Sequence, residues 1–127
     1  MTNTEKNLKL GRLTKRSEFL YVRDGKYKAI GGVVVQMRET AENANNNPRI
    51  RAGFTATKKI GNAVIRNRAK RRLREVARAL LPLHGLPGYD YVFIARATTI
   101  ARPYEQLLDD TQKALLSLSR KAQTVPI

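Results

Sequence analysis

The sequence predicts a mixed α+β domain with the element order α-β-β-α-β-α, and three patterns carry that prediction. Apolar residues recur at helical spacing along 62–81 and again along 104–119. They alternate at strand spacing from Ile50 to Thr57, and the run YDYVFIAR, Tyr89 to Arg96, is apolar at nearly every position. A length of 127 residues suits one domain covering 1–127. The hydrophobic content of 42% is enough for a core even with 28% of the residues charged.

Thr14 is the expected N-cap of a first helix, Lys15 to Asp24, which stops at Gly25. Ile30 to Arg38 (IGGVVVQMR) reads as a strand, and the Asn-rich ETAENANNNP, closed by Pro48, as a polar loop. Flexibility is expected in that loop, about 39–49, and in tails at about 1–12 and 120–127. In the next strand Ile50, Ala52, Phe54 and Ala56 take a core face, while Arg51, Gly53, Thr55 and Thr57 take an open one. The second helix runs from an Asn62 cap to a stop at Pro82, with Ile65, Ala69, Leu73, Val76 and Leu80 inside one arc. After the turn-rich PLHGLPG, Tyr89 to Arg96 is an interior strand, covered on both faces. Pro103 then sits where a first helical turn tolerates it, and Tyr104, Leu108, Thr111, Leu115 and Leu118 form the stripe of the last helix.

Charge narrows the function. Lys and Arg number 25 against 10 Asp and Glu, a formal +15 and a pI of about 10.8, so the partner is a polyanion. Membrane binding calls for a long apolar segment or bulky apolar anchors on a helix, and neither stands out. The N-terminus has no apolar h-region of a secretory signal, which makes the cytoplasm the expected location. Without cysteine there are no disulfides or thiolate metal sites, and the lone His84 removes two-histidine chemistry. Most catalytic templates are thereby excluded, and no catalytic residue, metal ligand or cofactor is assigned to the protein alone.

The charge is concentrated. From Lys58 to Arg78 stand nine cations, opposed only by Glu75. On a helix Arg66, Lys70, Arg74 and Arg78 follow one another at i, i+4 and form a row, with Arg71 beside it and the apolar stripe turned away. Like charges at that spacing cost an isolated helix about 0.2–0.5 kcal/mol per pair, a cost that a phosphate backbone relieves. The Arg fork binds phosphate or a base edge bidentately. Such a helix spans roughly 30 Å, the reach of several phosphates.

The run TKKIGNAVIRNRAKRRLRE, Thr57 to Glu75, resembles the signature of the protein subunit of bacterial ribonuclease P, and the remaining elements follow in that family's order. The resemblance implies an α/β sandwich like the second domain of ribosomal protein S5, with a left-handed β-α-β crossover around the basic helix. It also implies that an RNA subunit, working with Mg2+, cuts the 5′ leader from precursor tRNA while the protein binds. Carried over, Arg66, Asn67, Arg68, Lys70, Arg71 and Arg74 meet the catalytic RNA, with Lys58, Lys59 and Asn62 close by. A cleft between the first helix and the open sheet face receives the leader, and here it would hold Phe19, Arg23, Gln36, Arg38, Arg51, Thr55 and Thr57. Phe19 matches the family's helix-one aromatic and either stacks on a base or packs in the core. Arg23 and Gln36 stand where other members often carry aromatics, which shifts leader binding toward charge. No obligate protein partner is expected.

Smaller signals are assigned structural roles. His84 reads as an exposed loop residue, Asp109 and Asp110 as solvated carboxylates, and Tyr89, Tyr91 and Phe93 as core. Asp90 reads as a turn carboxylate in preference to a holder of hydrated magnesium. A structural ribosomal-type RNA binder is the competing function. A self-sufficient metal-dependent nuclease is disfavoured because the sequence offers no carboxylate cluster.

Overall fold

The computed structural model describes residues 10–41 and 49–123. In chain order these are β1 (Leu10–Arg12), α1 (Arg16–Arg23), β2 (Lys26–Ile30), β3 (Val33–Glu39), β4 (Ile50–Thr55), α2 (Ala63–His84), β5 (Tyr89–Ala95) and α3 (Tyr104–Gln123). A 3-10 turn, Lys58–Ile60, precedes α2. The strands form a single sheet in the order β1-β4-β5-β3-β2, with β1, β4 and β5 mutually parallel and β3 antiparallel to both β5 and β2.

The mixed α+β class holds, and two strands join the expected element order. β1 is only three residues long, too short for an alternation signal. β2, KYKAI, carries lysines because it is an edge, and charge on an edge strand hides its pattern. The stretch IGGVVVQMR is correspondingly two things: Ile30 ends β2, Gly31 and Gly32 turn the hairpin, and β3 starts at Val33. Gly31 has φ +52, and a Cβ there would fall 2.2 Å from the Asp110 carboxylate, so only glycine fits. Of the segments expected to be flexible, Leu10 to Arg12 pair in the sheet, Glu39 ends β3, and 120–123 are helical. Residues 40, 41 and 49 are described outside any strand or helix, and 1–9, 42–48 and 124–127 lie outside the described residues.

One face of the sheet carries the main core. Val33, Val35, Ile50, Tyr91 and Phe93 meet the apolar arc of α2 (Ala69, Leu73, Val76, Leu80) and Leu107, Leu115 and Leu118 of α3. Most of the expected stripe residues are thus buried; Ile65 and Leu108 are half-buried and Tyr104 is exposed. Tyr91 is fully buried. Its hydroxyl accepts the Leu86 N–H at 2.8 Å, pinning the PLHGLPG turn, and burial pushes its pKa up to about 12. Helix α2 does not stop at Pro82 but runs to His84. A proline this close to the end forfeits one N–H bond, and the Gly85 N–H still closes the helix on the Leu81 carbonyl at 2.8 Å.

The other face carries α1 and a smaller cluster of Leu13, Val22 and Val92, with Phe19, Tyr21 and Ile94 against it. This placement constrains handedness. The connection from β1 through α1 to the parallel β2 and that from β4 through α2 to β5 cross the sheet in the same direction, but with their helices on opposite faces. The two crossovers therefore have opposite hands, and one breaks the right-handed rule.

Asp110 is buried, which corrects the expectation of a solvated pair; only Asp109 is exposed, bonded to Lys113. Asp110 accepts from the Arg102 guanidinium and from the Gly32 N–H at 3.0 Å, tying α3 to the β2–β3 hairpin. Burial opposes its charge, yet the Arg102 and Gly32 bonds hold its carboxyl below the usual carboxylate range. A carboxylate depressed in the folded state stabilises above its unfolded pKa of about 3.9, and that stability is lost as pH falls through the folded value. Urea titrations from pH 7 to pH 2 should accordingly show stability falling below about pH 4. Asp110→Asn should flatten part of that fall, and an unchanged acid limb would contradict the assignment.

Candidate nucleic-acid interface

The entry to α2 explains why the basic run has the residues it has. After the turn Lys58–Ile60, Gly61 adopts φ +147, where a Cβ would press on Ile65. Asn62 then caps the helix, its Oδ1 accepting the Ile65 N–H at 3.0 Å. The expected cap is the observed one. Lys58 and Lys59 stay exposed beside this helix start.

The cations of α2 divide into two groups. Arg66, Lys70 and Arg74 are half-buried on the flank of the apolar arc, because an i, i+4 row drifts around the helix and here starts near the core edge. Of the four cations in the row only Arg78 is turned fully to solvent. Arg66 donates to the Gly61 carbonyl at 2.9 Å, and the Arg74 guanidinium lies 5.3 Å from the Phe54 ring centroid. Arg74 and Arg78, with Arg12 of β1, rim a groove of about 330 Å³ floored by Ala52, Phe54 and Ala77. The crest facing solvent is made by Asn67, Arg68, Arg71 and Arg78. Arg72 belongs to neither group, since its guanidinium donates to the Ile100 and Arg102 carbonyls and holds the loop before α3.

On the opposite face, strand register sets out three rows. The lowest runs Arg51, Asp90, Arg38; the middle runs Gly53, Val92, Gln36, Tyr27; the upper runs Thr55, Ile94, Val34, Ala29. Helix α1 lies along the lowest row. Glu18 bonds Arg51 at 3.2 Å, Tyr21 stacks under the Arg38 guanidinium at 3.9 Å, and Gly25 packs on the Met37 carbonyl and the Arg38 side chain. Phe19 reaches the middle row, where its ring takes the space above Gly53; a Cβ there would lie 2.6 Å from Phe19 Cζ. The upper row and the outer part of the middle row are left uncovered, half-buried or exposed.

Of the residues expected in a cleft here, Phe19, Gln36 and Thr55 border this uncovered half, and Thr57 follows β4 toward α2. Arg23 is one turn on from Phe19 along α1 and exposed, and Arg16 stands one turn back. Arg38 and Arg51 are on the expected face but under α1. Arg38 donates to the Tyr21 carbonyl at 2.9 Å. Arg51 grips Asp90 with two bonds, at 2.8 and 2.7 Å. Alternation located both residues; it carries no information about where α1 crosses. Asp90, expected in a turn, is 1% exposed and also accepts from Thr40, so it is a buried anchor. The N-terminal anchor of α1 likewise differs from expectation. Lys15, not Thr14, is the N-cap, and Glu18 Oε1 accepts the N–H groups of both, at 2.8 Å from Thr14 and 2.9 Å from Lys15. Those two bonds, aided by Arg51, lower the Glu18 pKa. Sequence reasoning passed over Arg16 and Tyr27; a basic residue and an aromatic on the open face would have been the signal, but β2 was not recognised as a strand.

Among the described residues, no group of three His, Cys, Asp or Glu side chains is placed to hold a metal ion, and no helix is long and apolar enough to cross a membrane. A basic helix crest on one side of a sheet and a cation-rimmed half-face on the other define an RNA-binding α+β protein. The Ribonuclease P family model matches residues 8–119, and the chain belongs to that family. It is 51% identical over 119 residues to the ribonuclease P protein component of Caulobacter vibrioides, covering 94% of this chain and 78% of that one. The corresponding component of Ruegeria pomeroyi is 50% identical over 107 residues, 84% of each chain. Among solved structures, the RNase P protein of Staphylococcus aureus superposes with a TM-score of 0.68 at 27% identity, covering 91% of this chain and 97% of that one. That of Thermotoga maritima gives 0.69 at 25% identity, covering 84% and 96%. A ribonuclease P protein component works with the RNase P RNA subunit.

Proposed function

We propose that this chain binds the ribonuclease P RNA through α2 and the 5′ leader of precursor tRNA in the uncovered half of the opposite sheet face, and so assists 5′-end maturation of tRNA. The observation that carries this reading is the presence of two separate RNA-suited surfaces on opposite faces of one sheet: the Arg68–Arg71 crest and the half-face bordered by Phe19, Gln36 and Thr55. A purely structural ribosomal-type binder needs only the first of these, and the family match does not favour it.

In this reading the RNA subunit carries catalysis and holds the Mg2+. Two of the protein's carboxylates, the buried Asp90 and Asp110, are already committed to Arg51 and Arg102. The crossover through α2 is the left-handed one of the opposed pair, as in the S5 domain 2 arrangement. The complex works in the cytoplasm without an obligate protein partner. The test is reconstitution: adding the protein to its cognate RNA at low Mg2+ should raise cleavage of leader-bearing tRNA and tighten its binding relative to mature tRNA. Equal rates with and without protein would overturn the proposal.

A further inference from the structure

The uncovered half-face does not end at β3. Tyr27 of the edge strand β2 sits directly opposite Gln36 in the antiparallel pair, so its ring projects from the same face. It is 63% exposed. Lys26 and Lys28 flank it but point to the other face, where Lys26 donates to the Lys121 carbonyl in the last turn of α3 at 2.9 Å. Protection of a sheet edge accounts for lysines in such places. It does not account for an aromatic ring left in water between them. Among the described residues no hydrogen bond, ring contact or guanidinium holds that ring.

The middle row supplies the context. Phe19 stands on Gly53 at one end of it and Tyr27 ends the other, three strand spacings away, about 14 Å. Between the two rings the row runs through Val92 and the Gln36 amide, with the half-apolar upper row of Thr55, Ile94 and Val34 alongside. Arg16 and Arg23 supply positive charge along the α1 side. Aromatic faces spaced along a cation-rimmed, shallow floor are the arrangement that binds single-stranded nucleic acid with little sequence preference, because every base offers a π face.

We propose that Tyr27 is a base-stacking residue for the single-stranded RNA that crosses this half-face, and that it marks the end of the path farthest from α2. The inference rests on the leader-binding reading above and extends it. Gln36 is the cross-strand neighbour of Tyr27, so the ring stands one strand beyond that amide on the same row. The upper row leads through Thr55 and Thr57 to the start of α2, where the RNA subunit binds in the same reading. A leader entering from that side reaches Tyr27 last. Only leaders long enough to cross all of β5 and β3 gain from it.

The experiment uses the reconstituted complex with precursor tRNAs whose leaders grow one nucleotide at a time, and mature tRNA for reference. Tyr27→Ala should weaken binding of long-leader substrates by about fivefold or more, with short-leader substrates binding as they do to the unaltered complex. Tyr27→Phe should behave as the unaltered protein, since the ring and not the hydroxyl acts. A 2-aminopurine placed at the leader position where the length effect appears should be quenched by the unaltered protein and not by Tyr27→Ala. The ring is exposed, so circular dichroism should show the fold intact. If Tyr27→Ala binds long leaders normally while Phe19→Ala does not, the Tyr27 inference is overturned and leader binding by this face stands. If neither substitution alters the preference for leader-bearing tRNA, both are overturned.

Discussion

Replacing Arg51 with alanine is expected to destabilise the free protein by about 3 kcal/mol, because it strands a carboxylate that has almost no access to water. Asp90 is 1% exposed, and Arg51 satisfies both of its oxygens while also reaching Glu18. Among the described residues Thr40 is the other side chain bonded to that carboxylate, at 2.9 Å, and a hydroxyl does not neutralise charge. The loss should appear as a fall in Tm of roughly 10–15 °C for a domain of this size. Arg51→Lys should fall between, since one ammonium cannot match the two-oxygen grip of a planar fork. Removing both charges, Arg51→Ala with Asp90→Ala, should recover much of the loss, because no unpaired charge then remains buried. Thermal melts of the unaltered protein, Arg51→Ala, Asp90→Ala and the double variant give the coupling directly. A single-substitution shift of only two or three degrees would mean that Asp90 finds water or another partner, and Arg51 would return to consideration as a ligand-binding residue.

That outcome bears on how the sequence encodes the site. Periodicity places a side chain on a face, and it did so correctly for Arg38, Arg51, Thr55 and Gln36. It does not say which part of the face another element covers. Helix α1 is short, with only Val22 fully buried, so its own pattern does not show that it lies across Arg51 and Arg38 and not beside Thr55. The basic helix was legible almost residue by residue because its cap, its apolar arc and its charge all belong to one continuous segment. β2 was not legible, since an edge strand one residue after a helix C-cap and one turn before β3 has neither the length nor the alternation to declare itself. With β2 unread, Tyr27 could not be placed. The burial of Asp90 and Asp110 is not legible for a related reason: their partners, Arg51 and Arg102, are specified by tertiary contacts at sequence distances of 39 and 8 residues.

Substituting Arg68 and Arg71 together with alanine is expected to weaken binding of the ribonuclease P RNA by on the order of a hundredfold at moderate salt, from two lost charge-assisted bonds. Both side chains are exposed on the crest of α2, away from Ala69, Leu73 and Val76, so the fold should survive. The sharper readout is the salt dependence. A contact that neutralises phosphates releases counterions, and log affinity falls linearly with log salt at a slope set by the number of phosphates engaged, roughly 0.7 to 0.9 for each. The unaltered protein should therefore show a steep slope, and the double variant a slope shallower by between one and two. Arg72→Ala is the control, removing one positive charge from the same helix. Its guanidinium is spent on the Ile100 and Arg102 carbonyls, so its removal should lower the melting temperature and leave the slope nearly as it was. Equal slopes for the unaltered protein and the Arg68, Arg71 variant would place the RNA elsewhere. The cation-rimmed groove at Arg12, Arg74 and Arg78 would then be the surface to alter next, because it gathers three arginines around one opening.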